Sequence, residues 1–212
     1  MPCYRLNQFR VESDLPLPCP PVALPDGLPA GEPLRIQYAP GALTEFACVR
    51  WLGRRYGGDY LRAYDTGCGV LVCADKTVRM LAQENGLTVA FDPADAFAGA
   101  LAAAMAINLG LSICTLLQGD LPLHGAGVAL DGQLIGILAP SGTGKSTLLW
   151  KLLDAGARFA SDDVLPVRIE NGGVTAFPSV ALPSKLSRQA LEARGEEPQR
   201  YRADDIQEAR AD

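Results

Sequence analysis

The chain has 212 residues, 48% of them hydrophobic and 20% charged, enough for one sizeable domain or two small ones. Its formal net charge of −5 argues against a basic surface, so nucleic acid is not an expected partner. The six cysteines (Cys3, Cys19, Cys48, Cys68, Cys73 and Cys114) form no C-x-x-C pair, and with a single histidine they exclude a Cys/His zinc site.

Met1-Pro2-Cys3-Tyr4-Arg5 is not an apolar leader, so a cytoplasmic protein with reduced thiols is expected. Residues 1–35 are proline-rich. The run LPLPCPPVALPDGLPAGEP reads as an irregular, extended arm on the surface. From about 35 to 95 the pattern is strand-like: Leu34 to Tyr38, Phe46 to Trp51, Tyr60 to Tyr64, Gly69 to Cys73 and Thr88 to Phe91. Thr77 to Gln83 fits a short strand or a helical turn. These segments predict a small β-rich N-terminal module, residues 1–92.

A helix is predicted from about Pro93 to Leu117, with Asp92 or Asp95 as N-cap. Its uncharged core, FAGALAAAMAINLGLSICTLL, is long enough to span a bilayer. It is Ala- and Gly-rich, contains Asn108, Ser112 and Thr115, and lacks basic flanks, so a buried core helix is expected and no membrane span.

Leu121 to Leu130 and Gln133 to Leu138 read as two strands joined by an Asp131-Gly132 hairpin turn. A glycine-rich loop follows, then a helix from Ser146 to Ala155 closed by Gly156. Arg158 to Ser161 is a short strand ending in Asp162-Asp163. Val164 to Glu170 and Val174 to Phe177 form a hairpin turned by Asn171-Gly172-Gly173. The remaining residues are charge-dense, helical or frayed. The second domain is taken as 93–212.

The loop Ala139-Pro140-Ser141-Gly142-Thr143-Gly144-Lys145-Ser146 fits the Walker A pattern [AG]-x-x-x-x-G-K-[ST]. Glycines allow successive backbone N–H groups to converge on one phosphate, and the helix that follows points its positive dipole end at the anion. Ser141, Gly142, Thr143, Gly144, Lys145, Ser146 and Thr147 are the expected nucleotide-binding residues. In such a loop the lysine neutralises β/γ-phosphates and the serine hydroxyl ligates Mg²⁺. ATP with Mg²⁺ is the expected ligand.

One helix and one strand separate Lys145 from Asp162-Asp163, which should return the pair beside the loop. Carboxylates there can hold Mg²⁺ or accept a proton from an attacking hydroxyl. His124 lies on the strand feeding the hairpin. A lone strand histidine is more often structural, so from the residues alone its role stays open. A transporter-type ABC ATPase would need an LSGGQ-like signature and a Ras-like GTPase an N-K-x-D motif. Neither follows the loop.

The runs LHGAGVA from Leu123, GILAPSGTGKST from Gly136 and LDAGARFASDD from Leu153 resemble the C-terminal catalytic domain of HPr kinase/phosphorylase. The resemblance is closest to the HPr-kinase-like peptide serine kinases of lasso- and ribosomal-peptide biosynthesis, and covers residues 121 to 165. It implies an α/β (α+β mixed sheet) fold, with a P-loop domain of the HPr kinase/phosphoenolpyruvate carboxykinase type behind a β-rich module. It implies an ATP-dependent serine kinase acting on a peptide or small protein. By the resemblance Asp163 is the proton acceptor, Asp162 the adjacent acid and metal ligand with Ser146, and His124 the active-site histidine. A homo-oligomer is compatible with it.

The family's downstream E-I-R-G-L-G type stretch does not occur; PSVALPSKL (178–186) occupies that region, and the later catalytic arginine has no counterpart. The kinase-like domain is therefore expected to be cut short at its C-terminus, and kinase activity is favoured over the reverse phosphorylase reaction. The alternative is an ATP-binding regulatory or maturation protein without kinase activity.

Overall fold

The computed structural model describes residues 1–19, 32–45, 49–55, 61–74, 77–140 and 142–177. The fold is α+β, with sheet dominating, and the chain divides into two compact units, Met1–Asp120 and Leu121–Asp212.

The first unit is built on an eight-stranded sheet. Its strands are β1 (Cys3–Leu6), β2 (Phe9–Ser13), β3 (Leu34–Tyr38), β4 (Arg50–Arg55), β5 (Leu61–Asp65), β6 (Val70–Ala74), β7 (Val78–Gln83) and β8 (Gly86–Phe91), in the order β1-β2-β3-β8-β7-β6-β5-β4. The β2–β3 and β3–β8 pairs are parallel and the rest antiparallel.

The expectation of an irregular arm is corrected at its start. Residues 3–13 form the β1–β2 hairpin, with Leu6 opposite Phe9 across an Asn7-Gln8 turn. Asn7 takes φ 56°, a left-handed conformation that asparagine tolerates better than most residues. Leu6, Phe9 and Val11 are buried, and that burial holds the hairpin in the sheet. Most of the proline run, 20–31, lies outside the described residues. The undecided segment from Thr77 is a strand: Val78, Met80 and Ala82 are fully buried.

The Ala-rich segment is helical, as α1 (Ala96–Met105), a π-helical turn (Ala106–Gly110) and α2 (Leu111–Leu117). Of the two candidate caps Asp95 is the one used, its carboxylate accepting from the Ala98 N–H at 3.1 Å. Leu87 and Met80 press against the backbone at Gly110; a Cβ there would lie 2.6 Å from Leu87 Cδ1 and 2.9 Å from Met80 Sδ. The helix packs on β7 and β8 with Ala98, Ala102, Ala106, Leu111 and Cys114 buried. The domain boundary therefore moves: the helix belongs to the first unit, and the division falls after Asp120 rather than after residue 92. Small side chains let this helix lie close to the strands that precede it.

The second unit holds β9 (Leu121–Leu130), β10 (Gln133–Leu138), α3 (Lys145–Asp154), β11 (Arg158–Ser161), β12 (Val164–Glu170) and β13 (Gly173–Ala176). The sheet order is β10-β9-β12-β13, and β11 also pairs with β9. Asp131 (φ 51°) and Gly132 (φ 77°) make the expected hairpin turn between β9 and β10. Gly156 ends α3 at φ 95°, where only glycine is unstrained. Leu149 of α3 is fully buried against Ala126 and Val128 of β9, which fixes the helix over the strand pair.

Candidate functional site

β9 changes neighbours along its length. Its first half pairs with β12, with His124 opposite Val164. Its second half lies between β10, with Gly125 opposite Leu138, and β11, with Gly127 opposite Ser161. β11 and β12 thus run in line along one edge of β9, separated by Asp162-Asp163. As expected, the acidic pair follows directly on a strand's end, that of β11, and it occupies an irregular break between two strands that share a partner.

Several bonds pin this break. The buried Ser161 hydroxyl donates to the Val164 carbonyl, spanning the pair. Asp163 adopts φ 82°, which costs a non-glycine residue about 1–3 kcal/mol unless its surroundings hold it. Here its carbonyl accepts the Gly125 N–H at 3.2 Å and faces His124 Nδ1 at 3.0 Å. His124 Nδ1 is also 3.3 Å from the Asp163 carboxylate. Both groups facing Nδ1 only accept, so Nδ1 carries the hydrogen.

Gly125 must be glycine. A Cβ there would fall 2.4 Å from Leu138 Cδ2 and 2.9 Å from the Ile137 carbonyl oxygen. Leu138 is the last residue of β10, and the glycine-rich loop begins immediately after it.

In the loop, Gly142 (φ 82°) and Gly144 (φ 95°) have left-handed backbones with open space around them. Conformation and not crowding excludes other residues there. Thr143 Oγ1 donates to the Pro140 carbonyl at 2.7 Å, closing the loop on itself. Lys145 Nζ donates to the carbonyls of Ala139 at 2.7 Å and Pro140 at 3.2 Å. Gly144 caps α3 without a side chain, and no acidic residue sits in the helix's first turn. The positive end of the helix dipole therefore faces the loop without a carboxylate from its own first turn. Ser141 lies outside the described residues, and Thr147 is exposed.

Ser146 Oγ donates to Asp162 Oδ1 at 2.9 Å. Mg²⁺ holds oxygens at about 2.0–2.1 Å in octahedral geometry, so adjacent ligands lie about 2.9 Å apart. The two side chains fit neighbouring positions on such an ion. Among the described residues no group of three or more His, Cys, Asp or Glu could hold a metal together. Further ligands would be water and phosphate oxygens, as is usual for Mg²⁺.

His124, Lys145, Ser146, Asp162 and Asp163 are thus brought to one end of the β9–β10 hairpin by β-register and α3. Sequence reasoning missed Ser161 and Gly125. The serine's only signal is its position directly before the acidic pair. Gly125 shows its need only once Leu138 is known to lie opposite. Comparison with family models, with curated proteins and with solved structures returns no match.

Proposed function

We propose that this chain is a cytoplasmic ATP-dependent serine kinase of the HPr-kinase-like type, built on a P-loop domain and acting on a peptide or small protein. The observation that carries the reading is the pairing of Ser146 with Asp162 at 2.9 Å beside the contact of His124 with Asp163 at 3.3 Å. One carboxylate is engaged with the Walker serine, while its neighbour is oriented by the only histidine.

In this reading the backbone of the 141–144 loop and the α3 N-terminus cradle the ATP phosphates. Lys145 exchanges its carbonyl partners for phosphate oxygens. Ser146 and Asp162 would hold Mg²⁺, which would supply positive charge to the phosphates. The acceptor serine oxygen attacks the γ-phosphorus, the bond to the β–γ bridging oxygen breaks, and ADP leaves. Asp163 accepts the serine proton. His124, donating through Nδ1, keeps that carboxylate aimed and adds its hydrogen bond as charge develops.

The alternative is nucleotide binding without transfer, in a regulatory or maturation role. It is favoured by the sequence PSVALPSKL standing where the family carries its E-I-R-G-L-G type stretch. Incubation with γ-labelled ATP, Mg²⁺ and serine-containing peptides, read by autoradiography and mass, separates the two. Label on a serine supports the kinase; tight ATP binding with no label on any peptide supports the alternative.

A further inference from the structure

The first unit's sheet has two unlike faces. The helix covers the face bearing Met80 and Leu87. On the other, register sets Arg62 opposite Cys73 and Cys73 opposite Arg79. The two arginines therefore share a face two strands apart, roughly 10 Å at about 4.8 Å per strand. Beside them Trp51 lies opposite Tyr64, the rings edge to face at 5.2 Å. Trp51 remains 49% exposed. Leu43 covers the neighbouring patch of Leu71, Leu81 and Ala90, and Tyr64 and Cys73 pack, partly buried, against its edge.

Like the exposed Arg5 and Arg158, but unlike four other described arginines, these two have no ion pair among the described residues, and both are partly buried. Arg10 and Arg35 pair with Glu12, Arg50 with Asp65, and Arg168 with Glu170. Neither Arg62 nor Arg79 has a carboxylate within ion-pair distance among the described residues. Arg62 is partly buried, and its Nε is sheltered from solvent with no acceptor. Arg10 Nε is sheltered too, but its guanidinium is bound to Glu12 at 3.1 Å. A sheltered, unpaired guanidinium N–H bears the desolvation cost of a donor without the bond that would offset it. Arg79 lines a cavity of about 340 Å³ with Thr44, Thr77, Phe91 and Asp92, the last without an ion pair to it.

We propose that this face binds an acidic peptide segment, Arg62 and Arg79 each taking a carboxylate and the Trp51–Tyr64 edge packing on the residues between. The planar guanidinium fork matches a carboxylate, and the aromatic edge suits apolar or proline residues. Residues i and i+3 of a polyproline II segment share a face about 9 Å apart, which fits the arginine spacing. The chain's net charge of −5 opposes long polyanions, so the match is to a local pair of carboxylates. The surface is independent of phosphotransfer and stands or falls without it.

The test is fluorescence anisotropy of the full chain with a labelled peptide carrying Glu-Pro-Pro-Glu, against the same peptide carrying Gln-Pro-Pro-Gln. The acidic peptide should bind, the Gln peptide at least tenfold more weakly. The variants Arg62→Gln and Arg79→Gln should each weaken the acidic peptide by about tenfold, while thermal melting monitors their fold. Equal affinity for both peptides, no binding of the acidic one, folded variants with unchanged affinity, or tighter binding of single-stranded oligo-dT would overturn the proposal. The two-peptide comparison uses unaltered protein, so it decides even if a variant fails to fold.

Discussion

Ser146 Oγ donates to Asp162 Oδ1 at 2.9 Å, joining the first turn of α3 to the break between β11 and β12. The same break presents Asp163 to His124, so adjacent aspartates serve two different partners. If Asp162 and Ser146 share Mg²⁺, Asp162→Ala should weaken Mg²⁺-dependent ATP binding about 10–100-fold, as loss of ordered metal-shell contacts does elsewhere. Binding measured with and without Mg²⁺ by calorimetry checks this; equal losses in both conditions would point away from a metal role.

Ser161→Ala removes the hydroxyl that ties Ser161 to Val164 across the acidic pair. It leaves a carbonyl short of a donor, a loss of about 1–3 kcal/mol, visible as a drop of several degrees in Tm. Both aspartates lie within this tie, so in the proposed kinase the variant should lower turnover and Mg²⁺-dependent ATP affinity together. Thermal melting and steady-state kinetics on one preparation measure both effects.

Gly125→Ala forces a Cβ into contact with the Ile137 carbonyl at 2.9 Å. A leucine side chain can rotate away, but a strand carbonyl cannot. Overpacking of this kind costs about 1–3 kcal/mol. Leu138 leads directly into the loop, so a fall in ATP affinity should accompany the fall in denaturation midpoint. Unchanged stability would contradict the register given for β9 and β10.

Burial pushes the Cys114 thiol up to about 12, against a smaller opposing effect of a hydrogen bond from its own backbone, and burial pushes Cys19 up to about 11. Both thiols stay protonated in the folded chain at pH values where the unfolded chain, near its ordinary 9.0, ionises. Their contribution to stability is therefore complete below about pH 9 and is lost as pH rises from there toward the folded values. Urea denaturation at neutral and at alkaline pH should show this decline, smaller in Cys114→Val. In the folded protein, alkylation at about pH 8 should label the exposed Cys68 well before Cys114.

Local chemistry made much of the second unit legible in the sequence. Asp131-Gly132 and Asn171-Gly172 dictate their turns, Gly156 ends α3, and the Walker-type spacing marks the loop. What failed was long-range. Prolines from Pro16 onward obscured the alternating run that makes β1 and β2, which is held in place by burial of Leu6 and Val11. The π-helical turn has no local cue, since its crowding comes from Met80 and Leu87 on other strands. The boundary shift has the same origin: nothing within the Ala-rich helix says which sheet it will cover. The acidic pair was placed near the loop by counting elements. Its form, two aspartates on a break pinned by Ser161 and Gly125, depends on β9 pairing with both β11 and β12.

The most direct test of the proposed kinase compares unaltered protein with Asp163→Asn, measuring ATP·Mg²⁺ affinity and single-turnover phosphate transfer to a serine peptide. Asparagine keeps the shape and an acceptor oxygen toward His124 but takes up a proton poorly. ATP affinity should hold within about twofold while transfer falls about 10²–10⁴-fold, the range for a general base. Transfer at the unaltered rate in Asp163→Asn, or failure of the unaltered chain to bind ATP·Mg²⁺, would contradict the account.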